Sequence, residues 1–198
     1  GNQLLEKNIH LILLVIVTFE QPGRLPIEMS PNNLFETHII PVSDKMYRFA
    51  LSILKEADSA HDVVQECLVK IWKNRSKLSD IQSPEAWAMR ITRNQCYDWV
   101  KTNRFTVLSE YESNTPNSDQ TDFELILADQ NKWLEKVLLT LPEKHREVYH
   151  LREVEELPYQ DIADVLSLSL SEVKVYLHRA RTKIRSSIEQ IEAYGIAN

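Results

Sequence analysis

Apolar residues recur at helical spacing along most of the chain. From Phe35 they fall at Phe35, Ile39, Val42, Met46, Phe49 and Ile53, which predicts one helix face with a bend at Pro41. A second helix is expected from about Ser59, read as its N-cap with Asp62 in the first turn, burying Val64, Cys67, Leu68, Ile71 and Trp72. The polar stretch NRSKLSDIQ reads as a loop. Ser83-Pro84 then opens a third helix, with proline in the favoured first position. Near the end, YQDIADVLS predicts a short helix with Ile162, Ala163 and Leu166 inward, and Ser169 with Glu172 forms an S-x-x-E capping box that starts the last helix. Val173, Leu177, Ala180, Ile184 and Ile188 are that helix's expected buried stripe.

No alternating strand series appears, and three glycines among 198 residues are few for a protein built on tight hairpins. The expected class is all-α. Between the helical blocks the composition shifts: residues 105–131 hold no Lys or Arg but carry Glu110, Glu112, Asp119, Asp122, Glu124 and Asp129. YESNTPNSDQTD within it has linker composition. The layout expected is two small helical domains, residues 29–104 and 129–192, joined by a flexible acidic linker at 105–128.

The first 28 residues read differently. Their apolar run, Leu11–Val17, is too short for the roughly 20 residues of a spanning helix, so no stable membrane insertion is expected. Only Lys7 precedes the run and no A-x-A-like site follows it. Residues 1–28 are read as a non-native or disordered extension, with Met29 as the start of the native chain.

Charge changes the picture more than composition does. The formal net charge is -6, yet Lys174 to Arg185 carries Lys174, Arg179, Arg181, Lys183 and Arg185 and no acid. Spacing of three and four also places Arg90, Arg93, Tyr97, Lys101 and Arg104 on one stripe of the third helix, opposite Ala88, Ile91 and Trp99, with Asp98 the one interrupting acid. Cations with an aromatic among them suit phosphates and a stacked base. A solvated charged face is the bland alternative. In the last helix, Ser171, Lys174, Val175, His178 and Thr182 lie opposite the buried stripe, with Arg179 at its edge. Ala163, Ser167 and Val173 have the spacing of a helix-turn-helix: a small residue at the crossing, a tight turn, and an apolar lock on the second helix. Such a helix offers its N-terminal residues to base edges in the major groove. A helical hairpin with a charged face is the alternative here.

No active site assembles. His61-Asp62 imitates the pair of metal phosphohydrolases but lacks further ligands at helical spacing. His145 and His150 do not share a helix face, and there is no Gly-rich phosphate loop or nucleophile elbow. Cys67 and Cys96 form neither a disulfide framework nor a zinc motif and read as buried thiols in a reducing cytoplasm. No enzyme, cofactor or metal is expected.

Four segments read together. DVVQECLVKIWKNRSKL, SPEAWAMRITRNQCYDWVKTNR, LPEKHREVYHLREVEELPYQDIADVL and VKVYLHRARTKIR resemble, in order, a bacterial RNA polymerase sigma factor of the extracytoplasmic-function branch of the sigma-70 family. The resemblance runs from about Leu34 to Ile188. It implies a first domain (region 2) whose Asp62, Gln65, Glu66 and Val69 meet the clamp coiled coil of the β′ subunit. Its third helix, with the loop at 77–83, would read and help melt the minus-ten element through Arg90, Arg93, Asn94, Tyr97, Lys101 and Arg104. The second domain (region 4) would touch the β flap and read the minus-thirty-five element. Its helix-turn-helix, about Tyr159 to His178 with the basic continuation, would do so through Ser171, Glu172, Lys174, Val175, His178, Arg179 and Arg181. Core polymerase and promoter DNA are the implied partners, and an anti-sigma factor is a candidate regulator.

The chain departs from the family pattern at several places. Ser167 stands where the turn usually has Gly, Pro158 where a capping Ser is common, and Ser171-Glu172 and Val175-Tyr176 replace Gly-Thr and Ser-Arg. The usual DNA preference is therefore not carried over. A stand-alone helix-turn-helix regulator is the rival reading; it leaves the basic third helix and the D-V-V-Q-E helix without a task. A purely structural helical adaptor explains neither basic face.

Overall fold

The computed structural model describes residues 30–103, 134 and 136–193, with side chains to Glu189; the expectations for residues 1–28, Arg104 and the linker lie outside them. All regular structure among the described residues is helical. Helix α1 (Pro31–His38) starts on Ser30, whose hydroxyl accepts from the Asn33 amide. A 3-10 turn at Ile40–Val42, with Pro41 inside it, separates α1 from α2 (Ser43–Leu54). The bend expected at Pro41 is thus a full break, because proline removes a backbone donor. Even so, Phe35, Ile39, Val42, Met46 and Phe49 are all buried on one continuous seam, each large side chain contributing about 1.5–3 kcal/mol.

Helix α3 (Ala57–Lys73) begins earlier than Ser59. Lys55 adopts the left-handed conformation (φ 64°) to end α2, and the Glu56 carboxylate then accepts from the Asp58 and Ser59 amides. Glu56 caps the helix, and Ser59 lies inside its first turn. The stretch read as a loop is also ordered: Arg75–Asp80 forms a 3-10 helix pinned by buried Leu78. Arg75 stacks its guanidinium over Trp72 at 4.0 Å and reaches Asn32 at 2.7 Å. Helix α4 (Pro84–Thr102) starts where expected, with the Ser83 hydroxyl accepting from the Ala86 amide.

The second half contains a helical segment at 136–139, then α5 (Glu143–Tyr149), a π-turn (His150–Val154), α6 (Tyr159–Leu166) and α7 (Leu170–Ala193). Ala163 and Val173 are buried, and Ser167 between them takes φ 53°. The α6–turn–α7 unit is a helix-turn-helix in form. The capping box is present too: Glu172 accepts from both the amide and the hydroxyl of Ser169, each at 2.7 Å. Ile188 departs from the expected stripe and is 41% exposed, since the pad that covers α7, formed by Val137 and Leu141, reaches only Ile184.

The two regions pack against each other. One buried cluster runs from Phe35 through Met46, Phe49 and Cys96 into Val148, Leu151, Leu157, Ile162 and Val173. Helix α4 packs on α6, and α2 meets the π-turn.

Candidate nucleic-acid interface

The cationic stripe of α4 is present but divided. Arg90, Asn94 and Lys101 are exposed, and Lys101 stands 3.5 Å from Asp98. Arg93 and Tyr97 are half-buried and turned toward α5. The Arg93 fork binds the Glu147 carboxylate through Nε at 2.7 Å and Nη2 at 3.1 Å, and the Tyr97 hydroxyl donates to the same group at 2.9 Å. The Arg93 guanidinium also covers the Tyr97 ring at 4.7 Å. Burial alone would lower the Arg93 pKa; the hydrogen bond and charge of Glu147 overcome that and raise it. Burial, with Glu143 and Glu147 nearby, pushes the Tyr97 phenol well up, so it is a neutral donor. Arg93 and Tyr97 together form an anion site, and here a carboxylate of the same chain fills it.

Beside this site lies an open cleft of about 750 Å³ between the 3-10 helix, the start of α4, and α6. Lys77, Trp87 and Arg90 line one side and Asp161 and Asp164 the other. The Ser83 hydroxyl crosses it to Asp161 at 2.8 Å.

Among the described residues, the face of α7 opposite its buried stripe is exposed. Ser171, Lys174, Val175, His178 and Arg179 are exposed, and Val175 is 44% accessible amid polar neighbours. Glu172 is exposed but committed to its capping box, which holds its carboxyl below the usual range through the Ser169 bonds. Arg181 is exposed and engaged by Glu153 at 2.6 Å. Tyr176 turns inward against the His145 ring at 4.7 Å, and desolvation, then the Arg179 charge, lowers the His145 pKa.

On α3, Asp62, Glu66 and Val69 are exposed and Gln65 is half-exposed. Glu66 accepts from Gln95 at 2.7 Å. The opposite side of α3 is consumed by the core through Val63, Val64, Cys67, Leu68 and Ile71. The same core buries both thiols and pushes each up to about 12, which leaves them unreactive.

Sequence reasoning missed Glu147 and Glu155, which are 3% and 1% exposed. Glu155 accepts both arms of Arg48, at 3.0 and 2.6 Å, and pairs with His150 at 3.1 Å; Lys45 donates to its backbone carbonyl at 2.9 Å. Desolvation would raise the Glu155 carboxyl, but the His150 and Arg48 bonds hold it below its ordinary value. A signal was available. Glu147, Leu151 and Glu155 recur every four residues, which puts two acids on the stripe of a core leucine.

Comparison with known proteins identifies the family. The sigma-70 region 2 family matches residues 40–106, and the sigma-70 region 4 family matches residues 131–184. The RNA polymerase sigma factor YlaC of Bacillus subtilis is 30% identical over 135 residues, covering 66% of this chain and 78% of that protein. The ECF RNA polymerase sigma factor SigL of Mycobacterium tuberculosis is 29% identical over 149 residues, covering 74% and 84%. The solved structure of the sigma factor RpoE in complex with the anti-sigma factor NepR from Bartonella quintana shares the fold. Its TM-score is 0.57 at 21% identity, over 78% of this chain and 96% of that one. With both regions present in order and a relative at that identity over most of its length, the chain belongs to the extracytoplasmic-function sigma factors of the sigma-70 family.

Proposed function

We infer that this chain is an alternative sigma factor, which binds core RNA polymerase and directs promoter-specific initiation. One observation carries the reading: α4 and α7, in two regions of one chain, each present a cationic helix face. One such face explains a stand-alone helix-turn-helix regulator. Two, with a third and acidic face on α3, fit a protein that touches two promoter elements and a polymerase.

The assignment of residues follows from exposure and chemistry. Asp62, Gln65, Glu66 and Val69 form the free side of α3 and are assigned to the β′ clamp. Arg90, Arg93, Asn94, Tyr97 and Lys101, with Arg104 beyond them, are assigned to the minus-ten element. Ser171, Lys174, Val175 and His178 stand on the first turns of α7, where a groove-bound helix meets base edges. The Val175 side chain suits a thymine methyl. Arg179 and Arg181 are assigned to phosphates. Glu172 keeps its cap when α7 is in the groove. Residues 29–104 are taken as region 2, 105–128 as the linker and 129–192 as region 4, with the β flap as region 4's second contact.

The protein is a transcription initiation factor rather than an enzyme, and it acts in the cytoplasm, where its polymerase and promoters are. Among the described residues no helix is long and apolar enough to cross a membrane. The fold-mate solved with an anti-sigma factor makes such a protein a candidate regulator here as well. The direct test is co-elution of the tagged chain with core polymerase. The wild-type chain should co-elute. Replacing Asp62→Lys and Glu66→Lys together should abolish co-elution while leaving the helical circular dichroism intact. Undiminished co-elution of that variant would remove the assignment of α3.

A further inference from the structure

The exposed Glu66 carboxylate on α3 is held from the neighbouring helix. The half-buried Gln95 of α4 donates through Nε2 to Glu66 Oε2 at 2.7 Å, and Glu66 Oε1 takes no donor among the described residues. The packing under this pair fixes both backbones. Cys67 and Cys96, which follow Glu66 and Gln95 in the chain, are fully buried where α3 packs on α4. The Cys67 thiol is also hydrogen-bonded to Thr92, one turn before Cys96. The freedom left to Glu66 therefore lies in its side-chain torsions, and glutamate is among the residues that lose most rotamer freedom when pinned. Asp62, one turn earlier and also exposed, has no such tether among the described residues.

The type of tether matters. The buried carboxylates Glu147 and Glu155 are met by guanidinium groups, which both satisfy and neutralise them. Glu66 is met by a neutral amide, which fixes its direction and leaves its negative charge in place. A carboxylate held in this way is prepared for a cation arriving from outside the chain, with Oε1 as the open acceptor. Pre-organising a group in its bound conformation raises affinity by removing an ordering cost at association. We propose that Gln95 is a positioning residue for polymerase binding: it holds Glu66 in the conformation that receives a guanidinium or ammonium group of the β′ clamp. The inference rests on the assignment of the exposed side of α3 to that clamp. Gln95 itself touches no polymerase in this account and acts through Glu66 alone.

The test titrates the fluorescein-labelled full chain with core polymerase and follows anisotropy at several salt concentrations. Glu66→Ala should weaken binding about tenfold and flatten its salt dependence, as loss of an interfacial charge does. Gln95→Met, which keeps the shape of the side chain but has no donor, should weaken binding about two- to tenfold, the span of ordering one flexible side chain. Its salt dependence should stay that of wild type, because the Glu66 charge remains. In the Glu66→Ala background, Gln95→Met should add no further loss. Gln95→Lys separates positioning from packing: its ammonium still bonds Glu66 and ties α4 to α3, but it neutralises the carboxylate. Thermal unfolding of this variant should come no lower than that of wild type, while core binding falls about tenfold. Weakened binding by Glu66→Ala with wild-type binding by both Gln95 variants would overturn the positioning role and leave the assignment of α3 standing. A loss in Gln95→Met that persists in full without Glu66 would overturn it as well. Wild-type binding by Glu66→Ala would overturn the assignment of Glu66 to polymerase, and the proposal with it.

Discussion

The Glu155 carboxylate, buried at the end of the π-turn, receives both arms of the Arg48 guanidinium, at 3.0 and 2.6 Å, from a helix more than a hundred residues earlier. A buried carboxylate is tolerable only when paired, and here Arg48, His150 and a lysine on the adjacent carbonyl supply the partners.

That pairing sets a pH dependence. The folded-state pKa of Glu155 lies below the ordinary 4.5 because the His150 and Arg48 bonds outweigh desolvation. Its contribution to stability is therefore complete above the unfolded value and is lost as pH falls through the lower, folded value. The groups facing it are Arg48, which stays charged, His150, and Lys45 at the carbonyl, with Asp44 beside Arg48. Urea midpoints measured from neutrality down through the carboxylate range should fall more steeply for wild type than for Glu155→Gln. Parallel curves would show that this carboxylate is not a stabilising acceptor.

A second expectation concerns backbone strain. Ser167 holds φ 53° at the helix-turn-helix turn, and Glu156 holds φ 60° after the π-turn. A Cβ in the left-handed region is costly, so Ser167→Gly should stabilise the protein by about 0.5–1 kcal/mol, net of the added freedom of the unfolded chain. Lys183→Gly, within exposed α7, should cost about 0.5–1 kcal/mol. Thermal or urea unfolding of the two variants should move in opposite directions; a shift of both toward lower stability would contradict the account of the turn.

Much of this was legible in the chain because burial leaves a periodic trace. The seam from Phe35 to Phe49, the Ser83-Pro84 start and the Ser169–Glu172 box all appear as read. The misses have local causes. Ser59 looked like a cap because the carboxylate that does the capping, Glu56, follows a left-handed lysine that no period marks. NRSKLSDIQ looked like a loop because a 3-10 helix with one buried residue, Leu78, has too little pattern to detect. Ile188 kept the period of its stripe, but among the described residues it is left 41% exposed. The largest miss is long-range. Arg93 and Tyr97 read as part of a stripe suited to phosphates and a stacked base, and only tertiary packing brings Glu147 to them.

The exposed face of α7 should divide by role. Lys174→Ala should change the ranking of a panel of single-base variants of the minus-thirty-five site, each specific contact being worth about 1–3 kcal/mol. Arg185→Ala, further along the helix, should weaken every member by a similar factor, as loss of a phosphate contact does. Equilibrium binding of holoenzyme to the panel distinguishes the two. Unchanged rankings in both would reduce α7 to an electrostatic clamp.

The central claim is that this chain converts core polymerase into a promoter-specific enzyme. Transcription in vitro, with purified core, the purified chain and genomic fragments as template, followed by mapping of the 5′ ends, tests it most directly. The account predicts initiation from a restricted set of start sites that share two upstream elements, one near minus ten and one near minus thirty-five, all lost when the chain is omitted. A pattern of start sites indistinguishable from that of core alone would contradict it.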